Sequence, residues 1–461
     1  MNYLGKKGYT IYKTNLNKKE INKIYNELNV KPHLLHSVGQ QIEYSIYRES
    51  LTKLYIPRYY GLKEFGEFEN KIPKGDTINV EFIGKLFPYQ ENIIDKYINH
   101  VKDSGGGLLD VEPGKGKTVM ALNIISKLKT KTLVIVHKTF LMNQWIERIN
   151  IFLPSAKIGK IQGDIIDVEG KDIVLGMLQS LSGKKYENIW EQFGLCIYDE
   201  CHHLSAEVFS NVMINIVCNY NLGLSGTMKR KDGLSKVFEY FIGPVVHKEK
   251  TDITTEVLIK SIKVDFNNFD KIKTDFRGNP LYSVMINDLD CIERNQFIAE
   301  LIKNELNINP EQQIMILSNT KNLLNNLYVE IIKFENEENI GYYLGGMKEN
   351  KLKETESKKI ILATYAMASE GLDIKTLTTL IMATPKSDVC QSVGRILRSK
   401  HSRPLVIDII DNHQVFQNQY KKRCVYYNSK NYIIQNYINP KNYLLNEIKE
   451  TKQKIKCLIK L

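Results

Sequence analysis

No Cys-x-x-Cys pair occurs in this chain. Its seven cysteines (Cys196, Cys201, Cys218, Cys291, Cys390, Cys424 and Cys457) are odd in number and scattered. That argues against a zinc framework and a disulfide-stapled fold, and it fits a reducing interior compartment. No run of about 18 apolar residues is present, so no membrane-crossing helix is expected. The opening Met1-Asn2-Tyr3-Leu4-Gly5-Lys6-Lys7 lacks the apolar core of a secretory signal. No internal sequence repeat is visible, a finding that still allows two structurally alike sheet domains. Acidic charge is in deficit, with 52 Asp+Glu against 64 Lys+Arg.

The deficit is unevenly placed. Residues 1–80 hold 13 Lys/Arg and 8 Asp/Glu, and residues 401–461 hold 11 and 4. These flanks carry +5 and +7 and account for the whole net charge of +12, so residues 81–400 are neutral. Basic flanks around a neutral middle suit contact with nucleic acid, although a solvated lysine-rich surface gives the same totals. The 461 residues suffice for two α/β domains with smaller flanks.

Apolar runs alternate with helical patterns from about 105 to 245. Leu108-Leu109-Asp110-Val111, Leu133-Val134-Ile135-Val136, Ile173-Val174-Leu175, Leu195-Cys196-Ile197-Tyr198 and Leu222-Gly223-Leu224 read as buried strands. A second set follows near 314: Ile314 to Leu317, Ile360 to Ala363, Leu380 to Ala383 and Val406 to Ile410. Such alternation predicts parallel sheets with ligands gathered at the carboxyl ends of their strands. The polar stretch 247–290 reads as a connector with some strand content, and 442–461 has the spacing of an amphipathic helix.

Three motifs carry chemistry. Glu112-Pro113-Gly114-Lys115-Gly116-Lys117-Thr118 stands between a strand and a helical run, the context of a phosphate-binding loop. Gly114 and Gly116 let backbone N–H groups close on phosphate oxygens, Lys117 reaches the β- and γ-phosphates, and Thr118 holds Mg²⁺. Val111 stands where the strict eight-residue pattern has its first glycine. Asp199-Glu200 follows a buried strand, so one carboxylate (Asp199) can organise Mg²⁺ and the next (Glu200) can polarise the attacking water. An Asp-Glu pair alone is most often surface charge; the phosphate loop upstream gives it meaning. Arg395 and Arg398 are three apart on one helix face, with Gln391 a turn earlier, and guanidinium groups suit phosphate. His202 and His203 lack a second ligand pair at zinc spacing, so metal binding is not expected there; His202 is instead expected to hydrogen-bond around the ATP site.

The motif set resembles helicase superfamily 2. Leu86-Phe87-Pro88-Tyr89-Gln90 is similar to the motif whose glutamine reads adenine, here Gln90. Ser225-Gly226-Thr227 resembles the Ser-Ala-Thr motif that couples ATP state to nucleic acid, with Gly226 in place of the usual alanine. Thr364 and Ser369-Glu370-Gly371-Leu372-Asp373 resemble the fifth motif. Asp199-Glu200-Cys201-His202-His203-Leu204 and Ile242-Gly243-Pro244 are most like the transcription/repair-factor branch. Ile361 to Ile374 and Ala383-Thr384-Pro385-Lys386 resemble the poxvirus-type transcript-release helicases of large DNA viruses.

The resemblance covers about 85–425 and implies two tandem RecA-like α/β domains. It divides the chain into a small N-terminal domain (1–80), an ATP-binding domain (81–246), the connector (247–290), a second RecA-like domain (291–425) and a basic helical extension (426–461). It implies ATP bound between the domains by Gln90, Gly114, Lys115, Gly116, Lys117, Thr118 and Asp373, and hydrolysed with Asp199, Glu200, Gln391, Arg395 and Arg398. Ser225, Thr227 and His202 would couple that site to nucleic acid. Nucleic-acid contacts fall on His137, Lys138, Gln179, Ser180, Ser318, Asn319 and Thr364. The implied cofactors are ATP and Mg²⁺. The implied partners are DNA before RNA and the transcription machinery, for a monomer moving 3′ to 5′ in transcription termination or transcript release. An intracellular, non-membrane location follows, in the virion or the host cytoplasm if the chain is viral. A duplex clamp that remodels without unwinding is the rival reading. The 26 tyrosines read mainly as core or half-exposed packing residues, with base stacking the lesser alternative for Tyr426 and Tyr427 beside Lys421-Lys422-Arg423.

Overall fold

The computed structural model describes residues 2–31, 43–112, 114–183, 186, 189–200, 206–226, 234–248, 257–266, 274–275, 278, 281–370, 374–389, 392–394 and 404–445. The chain divides into two compact units, Met1–Lys250 and Thr251–Leu461. Among the described residues no helix is long and apolar enough to cross a membrane.

The first unit is built on an eight-stranded sheet. Its strands run, in spatial order, Ile165–Asp167, Ile158–Gln162, Ile173–Met177, Thr132–Val136, Leu195–Tyr198, Tyr220–Ser225, Gly106–Asp110 and Val245–Lys248. Every pairing is parallel except that of the outermost strand, Ile165–Asp167. The central strands are buried along their whole length, as near-continuous apolar runs must be when helices cover both faces of a sheet. One face packs on helices Pro88–Ser104, Lys117–Leu128 and Thr139–Phe152 through Ile93, Tyr97, Ile124, Ile125 and Trp145. The other face packs on Ala206–Met213 and Ser235–Ile242 through Phe209, Phe238 and Phe241.

The N-terminal residues form a smaller sheet in the order Arg48–Glu49, Lys53–Ile56, Gly8–Tyr12, Tyr3–Gly5 and Glu69–Asn70. Its core residues Leu4, Tyr9, Ile11, Leu54 and Ile56 belong to the same apolar cluster as Phe209 and Phe238, so it is welded to the larger sheet. Arg58 reinforces the weld by donating to the Asn219 carbonyl at 2.9 Å. Gly105, at φ 78°, lies where a Cβ would meet the Arg58 guanidinium at 2.1 Å.

The second unit holds a seven-stranded, all-parallel sheet. Its order is Ile340–Tyr343, Ile360–Thr364, Gln313–Ser318, Leu377–Met382, Leu405–Asp411, Leu258–Val264 and Ile433–Tyr437. Two strands bear on the sequence reading. Leu258–Val264 is strand content within the stretch read as a connector, and it is an interior strand of this sheet. Ile433–Tyr437 falls in the extension read as helical, and pairs with it from Leu258↔Ile433 to Ile262↔Tyr437. The run Ile433-Ile434-Gln435-Asn436-Tyr437 shows no apolar/polar alternation, and five residues are too short a run to stand out against neighbouring helices.

Candidate functional site

Parallel register brings the motifs of the first unit to one edge. Asp110 lies opposite Ser225, Tyr198 opposite both Ile135 and Gly223, and Met177 opposite Val136. The phosphate loop, His137, Gln179, Asp199 and Ser225 therefore all leave the carboxyl ends of adjacent strands. The Val111 N–H donates to the Ser225 carbonyl at 2.9 Å, tying the start of the loop to the end of strand Tyr220–Ser225.

Gly114 and Gly116 stand at φ 85° and 80°, in the left-handed region that side chains disfavour. A Cβ on Gly116 would also approach Gln90 Nε2 to 2.4 Å. Gln90 is buried; its Oε1 accepts from the Phe87 N–H at 3.0 Å and its Nε2 donates to the Lys115 carbonyl at 3.1 Å. The Tyr89 hydroxyl donates to the same carbonyl at 3.1 Å. Gln90 thus braces the loop from the outside. Helix Lys117–Leu128 begins directly after Gly116, so its unpaired N–H groups and positive end point into the loop.

Lys117 Nζ lies 2.9 Å from Glu200 Oε1 and 3.4 Å from the Val111 carbonyl. This joins the lysine of the loop to the second acid of Asp-Glu across 83 residues of chain. Glu200 itself sits at φ 47°, a left-handed conformation that costs a side-chain-bearing residue about 1–2 kcal/mol. Asp199 is buried and accepts from Trp145 Nε1 at 2.8 Å. Burial, then the neighbouring Glu200 charge, push the Asp199 carboxyl up to about 6, against the pull of Trp145 and Lys117.

Beside these, Gln179 Nε2 donates to the His137 carbonyl at 3.0 Å, and Ser180 Oγ accepts from the Gly163 N–H at 2.8 Å. Lys138 precedes helix Thr139–Phe152, and burial pushes its ammonium down. In the second unit Ser318 and Thr364 are register partners at the carboxyl ends of their strands. The Asn319 N–H donates to Thr384 Oγ1 at 2.9 Å and its side chain to the Pro385 carbonyl at 3.1 Å. Each unit therefore presents its candidate nucleic-acid residues on the carboxyl edge of its own sheet.

The family pattern "Type III restriction enzyme, res subunit" matches residues 83–230, and "Helicase conserved C-terminal domain" matches 294–400. A protein of Acanthamoeba polyphaga mimivirus, provisionally named an ATP-dependent RNA helicase, is 36% identical over 450 residues, covering 93% of this chain and 86% of that one. The chain belongs to the superfamily 2 helicases of large DNA viruses. This helicase is also 25% identical over 397 residues to "DNA 3'-5' translocase XPB2" of Sulfurisphaera tokodaii, covering 77% of this chain and 88% of that one. In fold it is similar to the "ATP-dependent Type ISP restriction-modification enzyme LlaBIII bound to DNA", with a TM-score of 0.53 and 18% identity, over 74% of this chain and 29% of that one.

Of the residues expected in the helicase site, His202, Thr227, Asp373, Gln391, Arg395 and Arg398 lie outside the described residues. Tyr427 follows the packing reading: it is fully buried and donates to Asp408 Oδ2 at 3.1 Å, so it is core rather than a stacking platform. Sequence reasoning missed Trp145, whose bond to Asp199 spans 54 residues. It also missed two buried arginines. Arg423 forks onto Asp408 with two 2.8 Å bonds and donates to the Lys386 carbonyl at 2.6 Å. Arg294 forks onto Asp411 and donates to the Ala383 carbonyl at 2.7 Å. A signal existed: Asp408 and Asp411 interrupt an otherwise apolar strand, and buried carboxylates require partners. The two clamps fix Ala383 and Lys386, the start of the segment that leads to Gln391.

Proposed function

We propose that this ATP-dependent helicase moves 3′ to 5′ along DNA and acts in viral transcription termination or transcript release. The observation that carries the ATP site is the Lys117–Glu200 pair at 2.9 Å beneath a loop whose glycines are both left-handed. In this reading Gly114, Lys115 and Gly116 offer backbone N–H groups to the phosphates, and Lys117 leaves Glu200 for the γ-phosphate. Glu200, so released, takes the proton of the attacking water. Phe87 and Tyr89, stacked with ring centroids 5.8 Å apart beside Gln90, supply an exposed aromatic face for adenine. Arg395 and Arg398 neutralise charge on the transferred phosphoryl group, and Gln391 hydrogen-bonds beside them. Val111–Ser225 carries the state of the loop to the Ser-Gly-Thr segment and Thr227.

Thr118 and Asp199 fit magnesium, being hard oxygen donors. Burial beside Glu200 raises the carboxyl of Asp199, a cost that a cation offsets. The ion, when bound, neutralises developing phosphate charge.

The polarity and the choice of DNA are supported by the archaeal relative's name. The transcriptional role is supported by the likeness of Ile361 to Ile374 to the transcript-release helicases. RNA is the second reading, favoured by the name of the mimivirus relative. ATPase rates with single-stranded DNA, duplex DNA and RNA, and displacement of a blocking strand from each end of a partial duplex, decide between them. Stimulation by RNA alone, or 5′-to-3′ displacement, overturns the proposal. Triplex displacement without strand separation would make the protein a duplex translocase that does not unwind.

A further inference from the structure

The N-terminal sheet precedes both matched family patterns, the first of which begins at residue 83. One face of this sheet, carrying Leu4, Tyr9, Ile11, Leu54 and Ile56, is core. Side chains alternate along a strand, so Tyr3, Thr10, Tyr12, Lys53 and Tyr55 lie on the other face. Cross-strand register fixes their arrangement. Tyr55 is opposite Thr10, Thr10 is opposite Tyr3, and Lys53 is opposite Tyr12. Tyr55 and Tyr3 therefore flank Thr10 in one row and Tyr12 stands beside it along the strand; Thr10 is buried, and Tyr3 and Tyr55 are half-buried.

Cations are interleaved with them. Lys53 Nζ stands 4.7 Å from the centroid of Tyr12 and 5.4 Å from that of Tyr3. Lys71 lies 5.1 Å from the Tyr3 ring, and Lys7 5.1 Å from the Tyr55 ring. Lys7 and Lys71 are exposed, and Tyr12 is 37% exposed. One carboxylate, Glu69, accompanies them and pairs with Lys71 at 2.8 Å.

We propose that this face of the N-terminal sheet is a second nucleic-acid site, on which bases of a single strand stack on Tyr3, Tyr12 and Tyr55 while Lys7, Lys53 and Lys71 meet its phosphates. Charge complementarity and chemistry commit the occupant. Every base has a π-face to offer a tyrosine, and the adjoining lysines match a phosphate backbone. A duplex keeps its bases stacked on one another and leaves the rings nothing to stack on. The site adds to the nucleic-acid action of the family and is independent of the ATP-site assignments above.

The test is nucleotide-free binding of the full chain to labelled oligothymidylate, oligouridylate and a blunt hairpin duplex. The double substitution Tyr12→Leu with Tyr55→Leu is compared with Tyr12→Phe with Tyr55→Phe, each also in a Lys117→Ala background. Stacking is worth about 1–3 kcal/mol per base, or roughly 5- to 150-fold in affinity. The leucine variant should lose at least that much for single strands and stay within about threefold for duplex. The phenylalanine variant should stay within about twofold of wild type. Lys53→Gln should lower the slope of log affinity against log salt by about 0.7. The DNA and RNA arms show which sugar the face accepts, and loss in either supports it. Unchanged single-strand affinity, equal loss for duplex, or equal loss in the phenylalanine variant overturns it. Photocrosslinking of wild-type protein to 4-thiothymidine and 4-thiouridine strands covers the case of a misfolded variant: adducts on Tyr3, Tyr12 or Tyr55 support the site, and adducts confined to residues 81–425 overturn it.

Discussion

Trp145 donates its indole N–H to Asp199 Oδ2 at 2.8 Å, and both residues are buried. The indole thereby fixes the orientation of the carboxylate proposed to hold magnesium. A hydrogen bond to a charged group is worth about 1.5–3 kcal/mol. Trp145→Phe keeps most of the packing and removes the donor. Its half-maximal Mg²⁺ concentration for ATPase should shift by roughly tenfold or more, with nucleotide affinity in the absence of Mg²⁺ unchanged. A magnesium titration that superimposes on wild type would reduce Trp145 to a packing residue.

Glu200 combines a proposed chemical role with a left-handed backbone at φ 47°. Glycine adopts that conformation freely, whereas alanine does not. Glu200→Gly and Glu200→Ala should both abolish hydrolysis. Glu200→Gly should be the more stable of the two by about 1 kcal/mol, despite its greater unfolded-state entropy. Thermal melts of the pair measure this. Glu200→Gln should hydrolyse slowly while retaining ATP-dependent nucleic-acid binding. Loss of ATP binding in that variant would make Glu200 structural.

The parts of the molecule written locally in the chain were legible from sequence. The strand Thr132–Val136 is a continuous apolar run, and Gly114 and Gly116 announce their backbone angles by being glycine. The contacts that tune the site were not, because they join distant residues: Trp145 with Asp199, Arg294 with Asp411, and the Tyr12–Lys53 pair across two strands. No local periodicity encodes which indole meets which carboxylate. The strand Ile433–Tyr437 was hidden for another reason: its register partners in Leu258–Val264 lie 175 residues earlier.

The Arg423–Asp408 clamp separates stability from function. Arg423→Ala leaves Asp408 buried, with the Tyr427 hydroxyl as its side-chain hydrogen-bond donor among the described residues. That should cost about 3–5 kcal/mol, and Lys should not restore the fork. Replacing both, Arg423→Met with Asp408→Leu, removes the buried charges together and should recover most of the loss. It does not recover the bond to the Lys386 carbonyl. The double variant should therefore melt near wild type yet show reduced nucleic-acid-stimulated ATPase. Full ATPase in that variant would mean that the clamp only stabilises the fold.

Truncation of the basic C-terminal flank has two distinct outcomes, set by where the cut falls. A cut at 430 removes Ile433–Tyr437, the strand that covers the edge of Leu258–Val264. It also removes Tyr437 and Tyr443, both buried in the core of the second unit, and the bond from the Tyr443 hydroxyl to Glu305. A chain ending there should lose the cooperative melt of the second unit, and its weakened nucleic-acid binding would say nothing about charge. A cut after 445 leaves every described element in place and removes five lysines and two glutamates. That variant should melt like wild type. If those lysines meet phosphates, its slope of log affinity against log salt should fall by about 0.7–0.9 for each phosphate that is no longer neutralised. A normal melt with an unchanged slope would assign the lysines of 446–461 to solvated surface, and the charge-driven part of binding to the rest of the chain.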